Sequence, residues 1–153
     1  IVLDVAASII VLFALVHIIN AVLGIIPIGG EEPLSLQGIL AFIFRPFVWL
    51  MGVPWDESSR AASFMGIKTV LNEFVAYVEF AKNNGEGFSP RTNVLLTYAL
   101  CGFANFGSLG IVLGGLSAII PDRRRELAGL GVKSIFAGTL ANLMTGAVVG
   151  VLY

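Results

Sequence analysis

The 29 residues from Thr92 to Ile120 carry no charged side chain, yet Asn105 and Ser108 sit in the middle of the run among Gly102, Gly107 and Gly110. One bilayer crossing needs about 20 apolar residues, so the run is longer than a straight span requires. Hydrocarbon leaves an amide, a hydroxyl and loosened backbone unpaired unless protein or a watery cavity satisfies them. The pattern therefore predicts a spanning helix over 91–120 that is broken near its centre, around residues 103–108, with polar groups at membrane depth. Such a break is what a midplane binding site needs.

Composition supports the membrane class. Hydrophobic residues make up 57% of the chain and charged residues 12%, with a mean hydropathy of +0.92. Soluble domains carry about 25% charged residues. The net charge of −1 offers no basic face and excludes nucleic acid as a partner. Cys101 is the only cysteine and His17 the only histidine, so neither a disulfide framework nor a zinc spacing exists. Cys101 reads as a small packing residue. No nucleophile is paired with a base, and Gly114-Gly115 does not follow a strand-like segment, so dinucleotide binding is unsupported. The chain reads as no enzyme, with no cofactor and no metal ligands. It starts at Ile1 without a basic leader, which suggests a portion of a longer membrane protein rather than a signal peptide.

Residues 1–28 have the length and apolarity of one span, with His17 and Asn20 on a shared face directed at protein. Residues 29–34 form a turn. Ser35 suits an N-cap for the stretch beginning at Leu36. Arg45-Pro46 interrupts that stretch, and Phe42, Phe44, Phe47, Trp49 and Trp55 crowd it. The segment 29–55 thus reads as an outer loop and an oblique, interfacial amphipathic helix. From residue 56 to 84 the period is helical, but Arg60, Lys68, Glu73 and Glu79 make it too polar to face lipid. Two half-helices folded back as a re-entrant hairpin would place Asn72-Glu73 at a tip deep in the membrane. Residues 83–91 form a loop. Pro121 to Glu126 is a short loop with Arg123, Arg124 and Arg125, cytoplasmic by the positive-inside rule. The last span, 127–153, repeats Gly138, Asn142, Gly146 and Gly150 every four residues. That is a narrow helix-packing seam.

The fold class expected is an all-α membrane protein. It has three spanning helices, one of them broken at its centre, with one re-entrant helical hairpin and one interfacial amphipathic helix. The loop at 83–91 and the C-terminus then lie outside the cell. Two polar constellations stand out. Glu73, supported by Asn72, is a carboxylate at membrane depth; the structural alternative pairs it with Lys68 or Arg60. Phe103, Asn105 and Ser108 combine a flat apolar wall with an amide and a hydroxyl, suiting a ligand that is part polyol and part planar ring.

The runs Val70-Leu-Asn72-Glu73-Phe74-Val75-Ala76-Tyr77 and Tyr98-Ala-Leu-Cys101-Gly-Phe103-Ala-Asn105-Phe-Gly-Ser108, with Ser89-Pro90, Gly52-Val-Pro54-Trp55 and Pro121-Asp-Arg123-Arg124, closely resemble the C-terminal part of the concentrative nucleoside transporter family. The resemblance implies a nucleoside symporter of the cell (inner or plasma) membrane, coupled to sodium or protons and assembled as a homotrimer in the lipid bilayer. It implies that Glu73, Asn105 and Ser108 hydrogen-bond ribose hydroxyls and that Phe103 lies against the nucleobase. It further implies that residues 1–28 form the trimer-contact helix. A first hairpin and first broken helix, which supply most nucleobase contacts and a sodium site in that family, have no counterpart in this sequence. The alternative is a non-transporting membrane module that packs onto partners through the Gly138–Gly150 seam. An ion channel would need a more continuous polar lining than these spans supply.

Overall fold

In the computed structural model, which describes residues 2–26, 33–82 and 87–153, the chain is all helical, with no strand among those residues. Residues 29–32 of the expected turn over 29–34, and residues 83–86 of the expected loop over 83–91, lie outside the described residues. Seven α-helices follow in order: α1 Val2–Leu23, α2 Leu36–Leu50, α3 Trp55–Val70, α4 Glu73–Lys82, α5 Pro90–Ala99, α6 Phe106–Ile119 and α7 Arg124–Leu152. A short 3₁₀ turn, Pro121–Arg123, leads into α7.

By length and apolarity, the unit Pro121–Leu152 is able to cross a membrane on its own. At 22 residues, α1 is ~33 Å long at 1.5 Å per residue. Large apolar side chains face outward throughout: Phe42, Leu50, Phe136, Met144 and Val151 are among those exposed. Water does not favour apolar surface on that scale, so these faces suit lipid or further protein.

Asn20 fixes where α1 meets α2. Its amide donates to Gln37 Oε1 at 2.9 Å, and its Oδ1 accepts from the Leu36 N–H at 2.9 Å. His17, three residues earlier, is exposed in this chain. Ser35 caps α2 by accepting from the Gly38 N–H at 3.1 Å.

The helix α2 runs straight through Arg45-Pro46, where the sequence suggests an interruption. Packing against α3 compensates for the lost backbone bond. Arg45 donates to Ser58 Oγ at 3.2 Å and lies 4.2 Å from the Trp55 ring centre, while Val48 is fully buried. Gly52, at φ 112°, supplies the left-handed residue that the tight α2–α3 turn needs. The two helices then run antiparallel and very close. A Cβ on Gly66 would collide with the Gln37 carbonyl and lie 3.2 Å from the Ala41 nitrogen.

Helices α3 and α4 fold back on one another about Leu71-Asn72. Phe64 and Phe80, far apart in sequence, pack edge to face with ring centres 5.5 Å apart. Asn72 explains the stop and restart, since its side chain competes with the helical ladder. Its Oδ1 accepts from the Val75 N–H at 2.9 Å and so caps α4. At the far end, Glu57 accepts from both the N–H and the hydroxyl of Ser89, at 3.0 and 3.2 Å. Ser89 in turn caps α5.

The core lies where α2, α3, α5 and α7 meet, around Val48, Met65, Leu95, Leu96, Ala99 and Leu143. The small residues of α7 face inward onto the broken helix. A Cβ added to Gly131 would meet Leu109, one on Gly138 would meet Ala104, and one on Gly150 would meet Leu95. Gly146 sits against Met51 and Ala99 in the same way. Helix α7 therefore runs antiparallel to α5 and α6 and covers both.

Candidate functional site

The uncharged run from Thr92 to Ile120 folds as two helices, α5 and α6, separated by non-helical residues 100–105. Leu100 ends α5. Asn105, extended at φ −151° and ψ 164°, is the N-cap of α6, its Oδ1 accepting from the Ser108 N–H at 2.6 Å. Ser108 consequently belongs to the first turn of α6 rather than to the unwound centre. Cys101 is exposed within the break and does not pack as a small core residue.

The two polar constellations meet. Asn105 Nδ2 donates to Glu73 Oε2 at 2.8 Å, joining the first residue of α4 to the start of α6. Asn105 itself is fully buried, while Glu73 is half-buried. One amide thus serves two helix beginnings: it caps α6 and orients the carboxylate that starts α4. The backbone is close as well. A Cβ on Gly107 would lie 2.9 Å from the Leu71 carbonyl, so only glycine lets the hairpin tip approach α6 this far.

A cavity of about 310 Å³ opens at this junction. Asn72, Glu73, Phe103 and Ser108 line it, with an apolar wall of Leu12 and Phe13 from α1. Asn105 stands behind that cavity and lines an adjoining recess of about 130 Å³ together with Phe103, Ser108 and Ser134. All five sequence-predicted residues therefore come together. The volume is at the lower end of small-ligand sites. The lining offers one carboxylate with an oxygen to spare, the Asn72 amide, one hydroxyl, an exposed aromatic face at Phe103, and otherwise carbon. Among the described residues, no cluster of histidine, cysteine, aspartate or glutamate is able to hold a metal ion.

The structural alternative for Glu73, an ion pair with Lys68 or Arg60, is not what the chain adopts. Lys68 Nζ donates to the Ala99 carbonyl at 2.7 Å, and Arg60 donates to the Gly87 carbonyl and stacks 4.7 Å from the Phe88 ring centre. Sequence reasoning did not single out Leu12 or Phe13, and it paired Lys68 with Glu73 rather than with a carbonyl. A lysine in an apolar helix gives a signal, but nothing in sequence names its carbonyl partner 31 residues away. Asn142, read as packing glue, has its side chain against Gly102 of the break, and its Nδ2 has no partner among the described residues.

A helical hairpin whose tip meets the open end of a broken helix is the architecture of secondary-transporter binding sites, where half-helix ends face the ligand. Residues 1–150 match the family described as "Na+ dependent nucleoside transporter C-terminus", and the chain belongs to that family. It is similar to an uncharacterized transporter, YutK, of Bacillus subtilis, at 45% identity over 97% of this chain and 37% of that protein. It is also similar to solute carrier family 28 member 3 of Mus musculus, at 41% identity over 97% of this chain and 23% of the relative. The chain thus spans well under half the length of these relatives. Among solved structures, CNTnw in an intermediate 2 state matches with a TM-score of 0.88 at 43% identity, over 99% of this chain and 38% of the other. CNTnw in an inward-facing substrate-bound state matches at 0.74, with 43% identity over 97% of this chain and 36% of the other. These relatives are transporters, not enzymes.

Proposed function

We propose that this chain forms the sugar-binding half of the site of a cation-coupled nucleoside symporter. The observation that carries the reading is the Asn105–Glu73 hydrogen bond, which sets a carboxylate beside the Ser108 hydroxyl and the Phe103 ring at one cavity. A carboxylate accepts strong, charge-assisted hydrogen bonds from adjacent ribose hydroxyls. Ser108 and Asn105 complete the sugar contacts, Asn72 holds the hairpin tip, and Phe103 offers its face to the base. A nucleoside without the hydroxyls leaves the carboxylate unpaired and is rejected.

In this reading α3 and α4 are a re-entrant hairpin, α1 is the trimer-contact helix, and the C-terminus lies outside the cell membrane. Sodium is the favoured coupling ion, because a mouse relative, 37% identical over 100% of this chain and 26% of its own length, is named a sodium/nucleoside cotransporter. Alternating access comes from the hairpin and broken helix shifting against α1. The fall in TM-score across solved states of CNTnw, from 0.88 to 0.74 over nearly the same residues, supports movement within this segment. The alternative, an interaction module using the Gly138–Gly150 seam, is disfavoured because Gly138, Gly146 and Gly150 face the chain's own interior.

The test is radiolabelled uridine uptake into liposomes by a full-length family protein bearing this segment, with and without a sodium gradient. Uptake that needs both the gradient and Glu73 is the expected result. Normal uptake by a well-inserted Glu73→Gln protein would sink the assignment.

A further inference from the structure

The α5 helix ends in mid-chain, and its last carbonyls lose their helical partners there. That end carries partial negative charge, and the broken α6 begins with partial positive charge. Both hairpin arms answer this polarity. From α4, the Tyr77 hydroxyl donates to the Thr97 carbonyl at 2.6 Å. From α3, the Lys68 ammonium donates to the Ala99 carbonyl at 2.7 Å and is only 1% exposed. On the other side of the break, Glu73 reaches the start of α6 through Asn105. One hairpin therefore sets a cation on the carbonyl end of one half-helix and a carboxylate at the amide end of the other.

Fully buried lysines are rare unless paired. Lys68 has three donor hydrogens, and Ala99 takes the one hydrogen bond described for it. No carboxylate bonds to it: Glu73 is engaged with Asn105, and the described ion pairs are Lys82–Glu79 and Arg123–Glu126. Its described hydrogen-bond partner is a backbone carbonyl at a helix end, with the Glu73 carboxylate near enough to act on it through space but not bonded to it. In transporters with broken helices, free sodium ions occupy such carbonyl ends.

We propose that Lys68 is a tethered cation, seated on the α5 carbonyl end where a small monovalent cation would otherwise bind. In this seat Lys68 is a positioning residue: its ammonium neutralises the break, so loading of the substrate cavity does not require a mobile ion at this end of α5. Coupling ions then have to act elsewhere in the protein. The inference deepens the transporter reading above, and its first readout, thermal stability, does not depend on which substrate is carried.

The experiment uses the full-length family protein bearing this segment, in detergent and in liposomes. Lys68→Met keeps a similar length and removes the charge; Lys68→Arg keeps the charge. Melting temperature is followed as sodium chloride replaces choline chloride at constant ionic strength. The expected result is a Met variant that is weakened in choline and gains clearly more from sodium than the unsubstituted protein, as sodium enters the vacated seat. The Arg variant keeps the unsubstituted sodium response. Uridine uptake by the Met variant falls roughly tenfold at low sodium, the loss of a charge-assisted hydrogen bond, and recovers with a steeper sodium dependence. Parallel sodium responses in the Met variant and the unsubstituted protein overturn the proposal. If the Met variant folds only in sodium, the proposal stands; if it folds in neither salt, it is overturned. Loss of uridine uptake in the unsubstituted protein would count against the nucleoside reading alone, leaving the melting comparison intact.

Discussion

Asn105 is the residue on which both halves of the site lean, and its two hydrogen bonds can be measured apart. Replacing it with alanine removes the α6 cap, which costs about 1 kcal/mol. The same change removes the hydrogen bond to the Glu73 carboxylate, about 1.5–3 kcal/mol for a charged acceptor. Because Asn105 is fully buried, water does not fill in cheaply, and Asn105→Ala should cost about 2.5–4 kcal/mol in total. Asn105→Ser keeps a capping oxygen but is too short to reach Glu73, so it should lose only the second part. Asn105→Asp keeps the cap and turns the 2.8 Å contact into two facing carboxylates. Adding Glu73→Gln restores one amide and one carboxylate across the same gap. The double variant should therefore be more stable than Asn105→Asp alone by about 1.5–3 kcal/mol. Unfolding of the full-length protein, followed through the fluorescence of Trp49 and Trp55, gives all four values. Uridine uptake should stay low in the double variant, since the carboxylate has moved off the hairpin. A double variant no more stable than Asn105→Asp, or an Asn105→Ala variant within about 0.5 kcal/mol of the unsubstituted protein, would refute the idea that this bond joins hairpin to broken helix.

Other expectations are simpler. Gly66→Ala should destabilise by roughly 1–3 kcal/mol, because the new methyl meets fixed Gln37 backbone, whereas Gly114→Ala, with open space around it, should be neutral or mildly stabilising; thermal melts compare the two. Nucleosides lacking ribose hydroxyls should compete poorly with uridine for uptake, and equal competition by free nucleobases would argue against a sugar site at Glu73. Glu126 is fully exposed, and the Arg123 guanidinium beside it holds its carboxyl below the usual range. That pair favours the folded state at neutral pH and is lost on acidification, but full exposure screens it, so Glu126→Gln should leave the melting temperature unchanged.

Much of this arrangement was legible in the sequence, and the parts that were not share a cause. A long uncharged run with Asn105 and Ser108 inside it has one cheap solution, a helix interrupted where its polar groups find partners. Lys68, Glu73 and Glu79 within a helical period likewise exclude a lipid-facing span. What single-chain pattern cannot carry is partner identity across long separations. Nothing local says that Asn105 binds Glu73, that Lys68 finds the Ala99 carbonyl, or that Leu12 and Phe13 wall the cavity. The same limit explains α2: Arg45-Pro46 reads as an interruption because proline's cost is local, while the compensation comes from Ser58 and Trp55 on another helix. It also explains Cys101, whose apolar neighbours suggest burial but whose position within the break leaves it exposed.

The contacts of α7 bear on what the break is able to do. Gly131 and Gly138 hold the α6 side, at Leu109 and Ala104, while Gly146 and Gly150 hold the α5 side, at Ala99 and Leu95. A single unbroken rod is thus bound to both fragments, as a splint is bound across a fracture. From Cys101 to Asn105 the chain leaves the helical hydrogen-bond ladder, and the rod beside it spans the gap. The interruption is braced along one face by a continuous helix, so in the proposed transport cycle α5, α6 and α7 shift as one piece.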